Sequence, residues 1–199
     1  NYDVRIPAAG TNWVAGGLTI PKDSTRKYPV YLKFSGVGWD GVCECDQNPD
    51  RIIFCVNCHG LPSADATWET DYPAMRTWIE NYAKSGPESW QGNYQMIGTS
   101  QGRDNVYYRY VFLRAARAVE YVKTLPEWDG KTIIVGGCSQ GAAQSVAAAA
   151  LSSGVTHLAL GVPALTDFSG DKSDPKRPYG WPYTTRPPTE GECEYFDVV

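Results

Sequence analysis

The run VGGCSQGAAQSVAAAALSSG, residues 135–154, places Ser139 between two glycines. Four β-branched residues, TIIV (132–135), precede the glycines, and an alanine-rich segment follows. Gly137-Cys138-Ser139-Gln140-Gly141 fits G-x-S-x-G, in which a strand turns sharply into a helix and holds the serine in a strained backbone conformation. Side chains two residues before and after would collide with the neighbouring strand and helix, so glycine fills both places. The helix N-terminus then directs N–H groups and the positive end of its dipole at the serine, where negative charge would develop. The five-residue pattern alone is weak. Its setting, strand before and unbroken helix after, makes Ser139 the candidate nucleophile and the N–H of Gln140 a candidate oxyanion donor.

Working outward, the segments alternate. YPVYLKF (28–34) is a β-rich run that stops at the glycine-rich loop SGVGWDG (35–41). That loop follows an earlier strand and its glycines permit close backbone approach, so the N–H of Val37 is the candidate second oxyanion donor. RIIFCVN (51–57) is a second buried-strand candidate, ended by the turn HGLPS. Residues 107–125, YYRYVFLRAARAVEYVKTL, form the best helix. Its apolar stripe is Val111, Leu113, Ala115, Ala118, Val119 and Val122, with Arg114, Arg117 and Lys123 largely off it. Pro126 ends this helix, and EWDGK is a turn before strand 132–135. After the elbow come a helix over 140–152, with Gly154 where a C-terminal glycine belongs, and a strand over 156–162. The first 30 residues read as short strands, residues 72–84 as a helical patch, and the stretch from Pro163 onward as a Pro-rich loop. The whole is one α/β domain with a mostly parallel sheet flanked by helices.

Composition narrows the function classes. The 199 residues could bury roughly 70% of their unfolded surface, enough for a core without disulfides. A net charge of −4 with no basic run argues against nucleic acid and anionic membranes as partners. No apolar run approaches the ~20 residues of a membrane span. Neither a cofactor nor a metal is expected. The compartment is left open, with a secreted or periplasmic setting favoured over the cytoplasm.

The six cysteines are too few for a disulfide scaffold. Cys43, Cys45, Cys55 and Cys58 could offer four thiolates to zinc or form a disulfide, but free thiols are the expectation. Cys55-x-x-Cys58-His59 matches the c-type haem attachment pattern, yet its first cysteine falls in a buried strand and no distal ligand stands out. Cys138 is expected to be buried beneath the elbow.

Four segments together carry a resemblance: GCSQG with its alanine-rich helix; RDNVYYRYVFLRAARAVEYVKTLPEWDG; IIFCVNCHGLP; and GVPALTDFSG followed by YGWP. The chain resembles the acetyl xylan esterase and cephalosporin-C deacetylase family of α/β-hydrolases from about Leu18 onward. The resemblance implies deacetylation through a Ser-His-Asp triad and an acetyl-enzyme, with acetylated carbohydrate as the substrate class and homo-oligomers a frequent assembly. It assigns Ser139 as nucleophile and the N–H groups of Gln140 and Val37 as oxyanion donors. Many members have His-Gly-Tyr in the first loop. Here Ser35-Gly36-Val37 stands instead, so no role of that tyrosine transfers.

The triad partners are harder to find. In the family they follow the next two strands of the sheet, for which this chain offers no positions, so the expectation is a C-terminally incomplete piece of a longer enzyme. Only two histidines are present. His157 begins a strand, at the wrong end for chemistry that sits at carboxyl ends. His59 follows the carboxyl end of a strand and is a weak substitute base, otherwise a turn residue. Asp167, after the strand GVPAL, is the candidate acid. Alternatives are a catalytically inactive carbohydrate-binding or structural domain, a peptidase-like hydrolase, and an esterase of other specificity such as a glucuronoyl methylesterase. The lack of an arginine after Ser139 counts against the last.

Overall fold

The computed structural model describes residues 1–9, 12–36, 45–57, 59–60, 98 and 101–164. Among these residues six strands form one mixed sheet: β1 (Tyr2–Pro7), β2 (Trp13–Thr19), β3 (Tyr28–Phe34), β4 (Ile52–Asn57), β5 (Trp128–Cys138) and β6 (His157–Gly161). Their order is β1-β2-β4-β3-β5-β6. The pairs β4–β3, β3–β5 and β5–β6 are parallel, and β1–β2 and β2–β4 antiparallel. The carboxyl ends of β3, β4, β5 and β6 therefore share one edge, where Phe34 is level with Val56 and Gly137, and Cys138 with Gly161.

Helices α1 (Tyr107–Val122) and α2 (Gln140–Leu151) pack on each other and on the sheet. Alternation in the strands decides which residues meet them. Val30, Leu32 and Phe34 of β3, Ile52, Phe54 and Val56 of β4, and Ile133 and Val135 of β5 join Ala115, Ala118, Val119, Val122 and Ala148 in one core. Phe54 meets Tyr121 edge-on at 5.6 Å. The expected stripe on α1 is the buried one, except that Leu113 is only half-buried. β5 starts at Trp128, earlier than expected: Asp129 Oδ1 accepts from the N–H groups of Lys131 and Thr132 (both 2.8 Å) and Gly130 takes φ +73°, so the EWDGK turn is absorbed into the strand's entry. The patch at residues 72–84 and the loop after Ala164 lie outside the described residues.

Arg114 departs from expectation. It is 1% exposed, turned inward from α1 with Nε donating to the Trp13 carbonyl at 3.0 Å. A buried guanidinium needs partners for its donors, and the carbonyl at the start of β2 and Asn12 Oδ1 take Nε and Nη2.

Among the described cysteines, Cys45 and Cys55 form a disulfide, with Cα atoms 5.7 Å apart. This overturns the expectation of free thiols, removes two sulfurs from any four-thiolate zinc set and leaves Cys55 unable to hold haem. Cys43 and Cys58 lie outside the described residues. Cys55 is level with Gly17 on β2, and the Cys45 sulfur lies 2.9 Å from the Gly17 carbonyl oxygen. Closing a ten-residue separation should stabilise the fold by about 2–3 kcal/mol. The Cys45→Ala/Cys55→Ala double variant should show that loss as a lower denaturant midpoint. A reductant should reproduce the loss in the parent and add nothing in the variant; a parent midpoint insensitive to both would show the link to be energetically idle.

Among the described residues no helix is long and apolar enough to cross a membrane. Among the described residues β6 is a sheet edge, with Leu158 and Leu160 substantially exposed.

Candidate active site

Ser139 joins β5 to α2 with φ +55° and ψ −120°. A non-glycine residue at that conformation costs about 1–3 kcal/mol and persists only when its surroundings over-determine it. Here they do. The Ser139 N–H donates to Gly161 on β6 at 2.9 Å, and its carbonyl accepts from Ala142 at 3.1 Å and Ala164 at 3.2 Å. The backbone of the serine is thereby fastened to α2, to β6 and to the chain leaving β6.

The flanking glycines are required by distance. A Cβ on Gly137 would stand 2.6 Å from the Phe34 carbonyl oxygen and 2.8 Å from the carbonyl carbon of Gly141. One on Gly141 would stand 2.9 Å from the Ser35 carbonyl oxygen and closer still to that of Phe34. α2 thus begins in direct contact with the exit of β3, as the sequence pattern requires.

Gln140 is the first residue of α2 and is buried, in the turn where a helix supplies no intrahelical acceptor for its N–H groups. Across from it, Gly36 continues from β3, with its Cβ position 3.8 Å from the Cys138 carbonyl oxygen. The chain bearing the second candidate donor therefore leaves β3 beside the elbow. Val37 itself lies outside the described residues, as does Asp167.

The two histidines stand in unlike settings. His59 is fully buried, its Nδ1 in a hydrogen bond with the Tyr107 hydroxyl and its ring stacked on Tyr107 at 5.8 Å. Its own N–H donates to Asn57 Oδ1 at 2.8 Å. It sits in the expected turn, with a side-chain partner on α1 that the sequence did not point to. His157 opens β6, four residues and roughly 13 Å of strand from Gly161, and is exposed.

Cys138 corrects a further expectation: it is exposed and its thiol is free. Alternation decides this. Gly137 faces α2, so Cys138 faces the other side of the sheet, its sulfur leaning over Gly161. On that side the Tyr31 hydroxyl lies under Gly136, and burial, then Cys138, pushes the phenol above its ordinary value, keeping it protonated. One residue near the site had been passed over. Gln144 is 1% exposed, and its Nε2 donates to the Ser35 carbonyl at 3.1 Å. A lone amide in an alanine run, four residues beyond Gln140, was the available signal.

Residues 1–171 match the family model of acetyl xylan esterase (AXE1). The chain belongs to that family. The acetyl esterase Axe7A of Xylanibacter ruminicola is 38% identical over 204 residues, a match that takes in 100% of this chain and 44% of that protein. The chain thus spans less than half the length of this curated relative. Among solved structures, the acetyl xylan esterase from Paenibacillus sp. R4 superposes with a TM-score of 0.63 at 24% identity, over 84% of this chain and 50% of that one. Acetyl xylan esterase 1 from Thermoanaerobacterium sp. JW/SL YS485 gives 0.61 at 23%, over 84% and 49%. These superpositions establish the α/β-hydrolase fold, and family membership bears out the resemblance carried by GCSQG and the arginine helix.

Proposed function

We propose that this chain carries the nucleophile and oxyanion donors of a serine carbohydrate esterase that removes acetyl groups from xylan or xylo-oligosaccharides. The observation that carries the reading is Ser139 at φ +55°, ψ −120°, between two glycines that no side chain could replace without a clash. The family and the acetyl ester activity named in its relatives support the reaction class.

In this reading the Ser139 hydroxyl oxygen attacks the acetyl carbonyl carbon and gives its proton to a base. The carbonyl oxygen becomes an oxyanion held by the N–H groups of Gln140 and Val37. Collapse expels the sugar oxygen, which takes the proton from the base, and leaves an acetyl-enzyme. Water then attacks the acyl carbon with the same base accepting its proton, releasing acetate and regenerating Ser139. His59 is bound to Tyr107 and His157 stands at the far end of β6. Neither is taken as the base in this reading, and Asp167 remains the candidate acid partner.

The test uses the intact polypeptide and a fluorophosphonate, which the serine oxygen attacks at phosphorus with loss of fluoride. Peptide mass mapping should place the adduct on Ser139, and acetate should be released from acetylated xylo-oligosaccharides faster than methanol from a methyl glucuronate ester. No adduct and no acetate would support the inactive carbohydrate-binding domain instead. Preferred cleavage of the methyl ester would retain the serine and overturn the substrate.

A further inference from the structure

We propose that Val162 is a positioning residue for the nucleophile: its left-handed backbone folds the exit of β6 back, so that the single turn 161–164 grips both peptides of Ser139. This rests on the serine-esterase reading above.

Val162 follows Gly161, the last residue of β6, and has φ +40°. Positive φ is a genuine outlier for a β-branched residue, and the ring of Pro163 crowds the residue before it further. Packing does not offset this cost, because the Val162 side chain is 80% exposed. The hydrogen bonds on either side of it do. The Gly161 carbonyl accepts from the Ser139 N–H at 2.9 Å, and the Ala164 N–H donates to the Ser139 carbonyl at 3.2 Å. Both bonds land on one residue, and among the described residues Ser139 is the only other non-glycine at positive φ. Backbone strain of this kind gathers at functional sites, where the surroundings over-determine it.

Each peptide is a rigid plane, so φ and ψ are the angles at which two planes meet at a Cα. The Ser139 N–H belongs to the plane before its Cα, and the Ser139 carbonyl to the plane after it. Holding both from one turn therefore sets the φ +55° and ψ −120° at which they meet, and with them the direction of the Cα–Cβ bond that carries the hydroxyl. The second plane also bears the Gln140 N–H, opposite the gripped oxygen, so the same bond sets where that group points. Within α2 the Ala142 N–H reaches this oxygen as well, at 3.1 Å. That bond ties the peptide to the helix; Ala164 ties it to the sheet. With an ordinary negative φ at Val162, the chain would run on from β6 and carry the Ala164 N–H away from the elbow.

Three changes to the intact polypeptide test this. Val162→Pro forbids the turn, since the ring holds φ at about −65°. Its kcat for an acetyl ester should fall about 10–100-fold with KM within about twofold, because a misplacement of about 1 Å is enough to cost about 100-fold. The rate of fluorophosphonate labelling at Ser139 should fall in step. Val162→Gly takes positive φ without a steric penalty, so it should recover all but about twofold of both rates. An ester in place of the Pro163–Ala164 amide deletes the N–H and keeps every side chain. It should lower kcat and labelling about tenfold, a fraction of the 10²–10³ lost with a whole oxyanion donor. Parent rates in Val162→Pro or in the ester variant would overturn the proposal. So would a Val162→Gly protein as slow as Val162→Pro, or falls in kcat no larger than the loss of folded protein measured by circular dichroism. Failure of the underlying reading looks different, since the parent protein would then not label at Ser139 at all.

Discussion

Alanine in place of Ser139 should lower kcat for acetyl-ester hydrolysis by about 10⁴-fold or more while leaving KM within a few-fold, since removal of a triad nucleophile leaves only what binding and oxyanion donors supply. The hydroxyl is not among the groups fastening the elbow. Those are the Ser139 N–H and carbonyl, which alanine retains. Stability should therefore change by less than about 0.5 kcal/mol, as for substitutions that remove no packed or bonded group. Glycine at the same position separates strain from chemistry. It adopts φ +55° without the steric penalty, so Ser139→Gly should be as inactive as Ser139→Ala yet more stable by about 1 kcal/mol, after the greater entropy of its unfolded chain is offset against the relieved strain. Steady-state kinetics and denaturant midpoints on the three proteins check both. A Ser139→Ala protein retaining a tenth of parent kcat would move the chemistry to another residue, and a Ser139→Gly protein less stable than Ser139→Ala would show that the elbow stores no strain.

Much of this arrangement was legible because it rests on local rules. β3 falls where expected, since YPVYLKF is bounded by a turn and a glycine loop, and the elbow glycines announce a backbone approach that the distances to Phe34 and Ser35 explain. Arg114 was misplaced because hydropathy assigns a charge to solvent. The carbonyl that holds it belongs to Trp13, 101 residues earlier, and no periodicity within α1 reports that partner. The exposure of Cys138 could have been read: with Gly137 committed to α2, period-2 alternation turns the next side chain away. The Cys45–Cys55 pairing could not, because spacing along the chain does not say which of the four cysteines meet. Within the site, Ser139 and Gln140 are where the motif puts them. Gln144 escaped notice because its partner is a backbone oxygen at a strand's end, which sequence alone does not display.

Gly141→Ala sets two known effects against each other. Inside a helix, alanine is favoured over glycine by about 1 kcal/mol, so on propensity alone the variant should be more stable. The added methyl, however, would enter the space between α2 and the exit of β3, 2.9 Å from the Ser35 oxygen and nearer to that of Phe34. Both are backbone atoms, so relief requires moving a strand end or a helix rather than a side chain. Overpacking of this kind costs typically 1–3 kcal/mol, and with two carbonyls in the way the upper half of that range applies. The clash wins, and Gly141→Ala should lose about 1–2 kcal/mol by denaturant midpoint. Its kcat should fall some 10–100-fold, because the displaced parts are those that carry Gln140 and Gly36. A variant more stable than the parent with undiminished kcat would show that the close approach is unnecessary. Gly137→Ala drives its methyl at the same Phe34 oxygen, 2.6 Å away, from the strand side of the elbow. Once β3 has yielded to one methyl it has partly yielded to the other, so the double variant should lose less stability than the sum of the two single losses, by about 0.5 kcal/mol or more. Strict additivity would mean that each glycine relieves a different contact, and that the Phe34 carbonyl is not the point on which both bear.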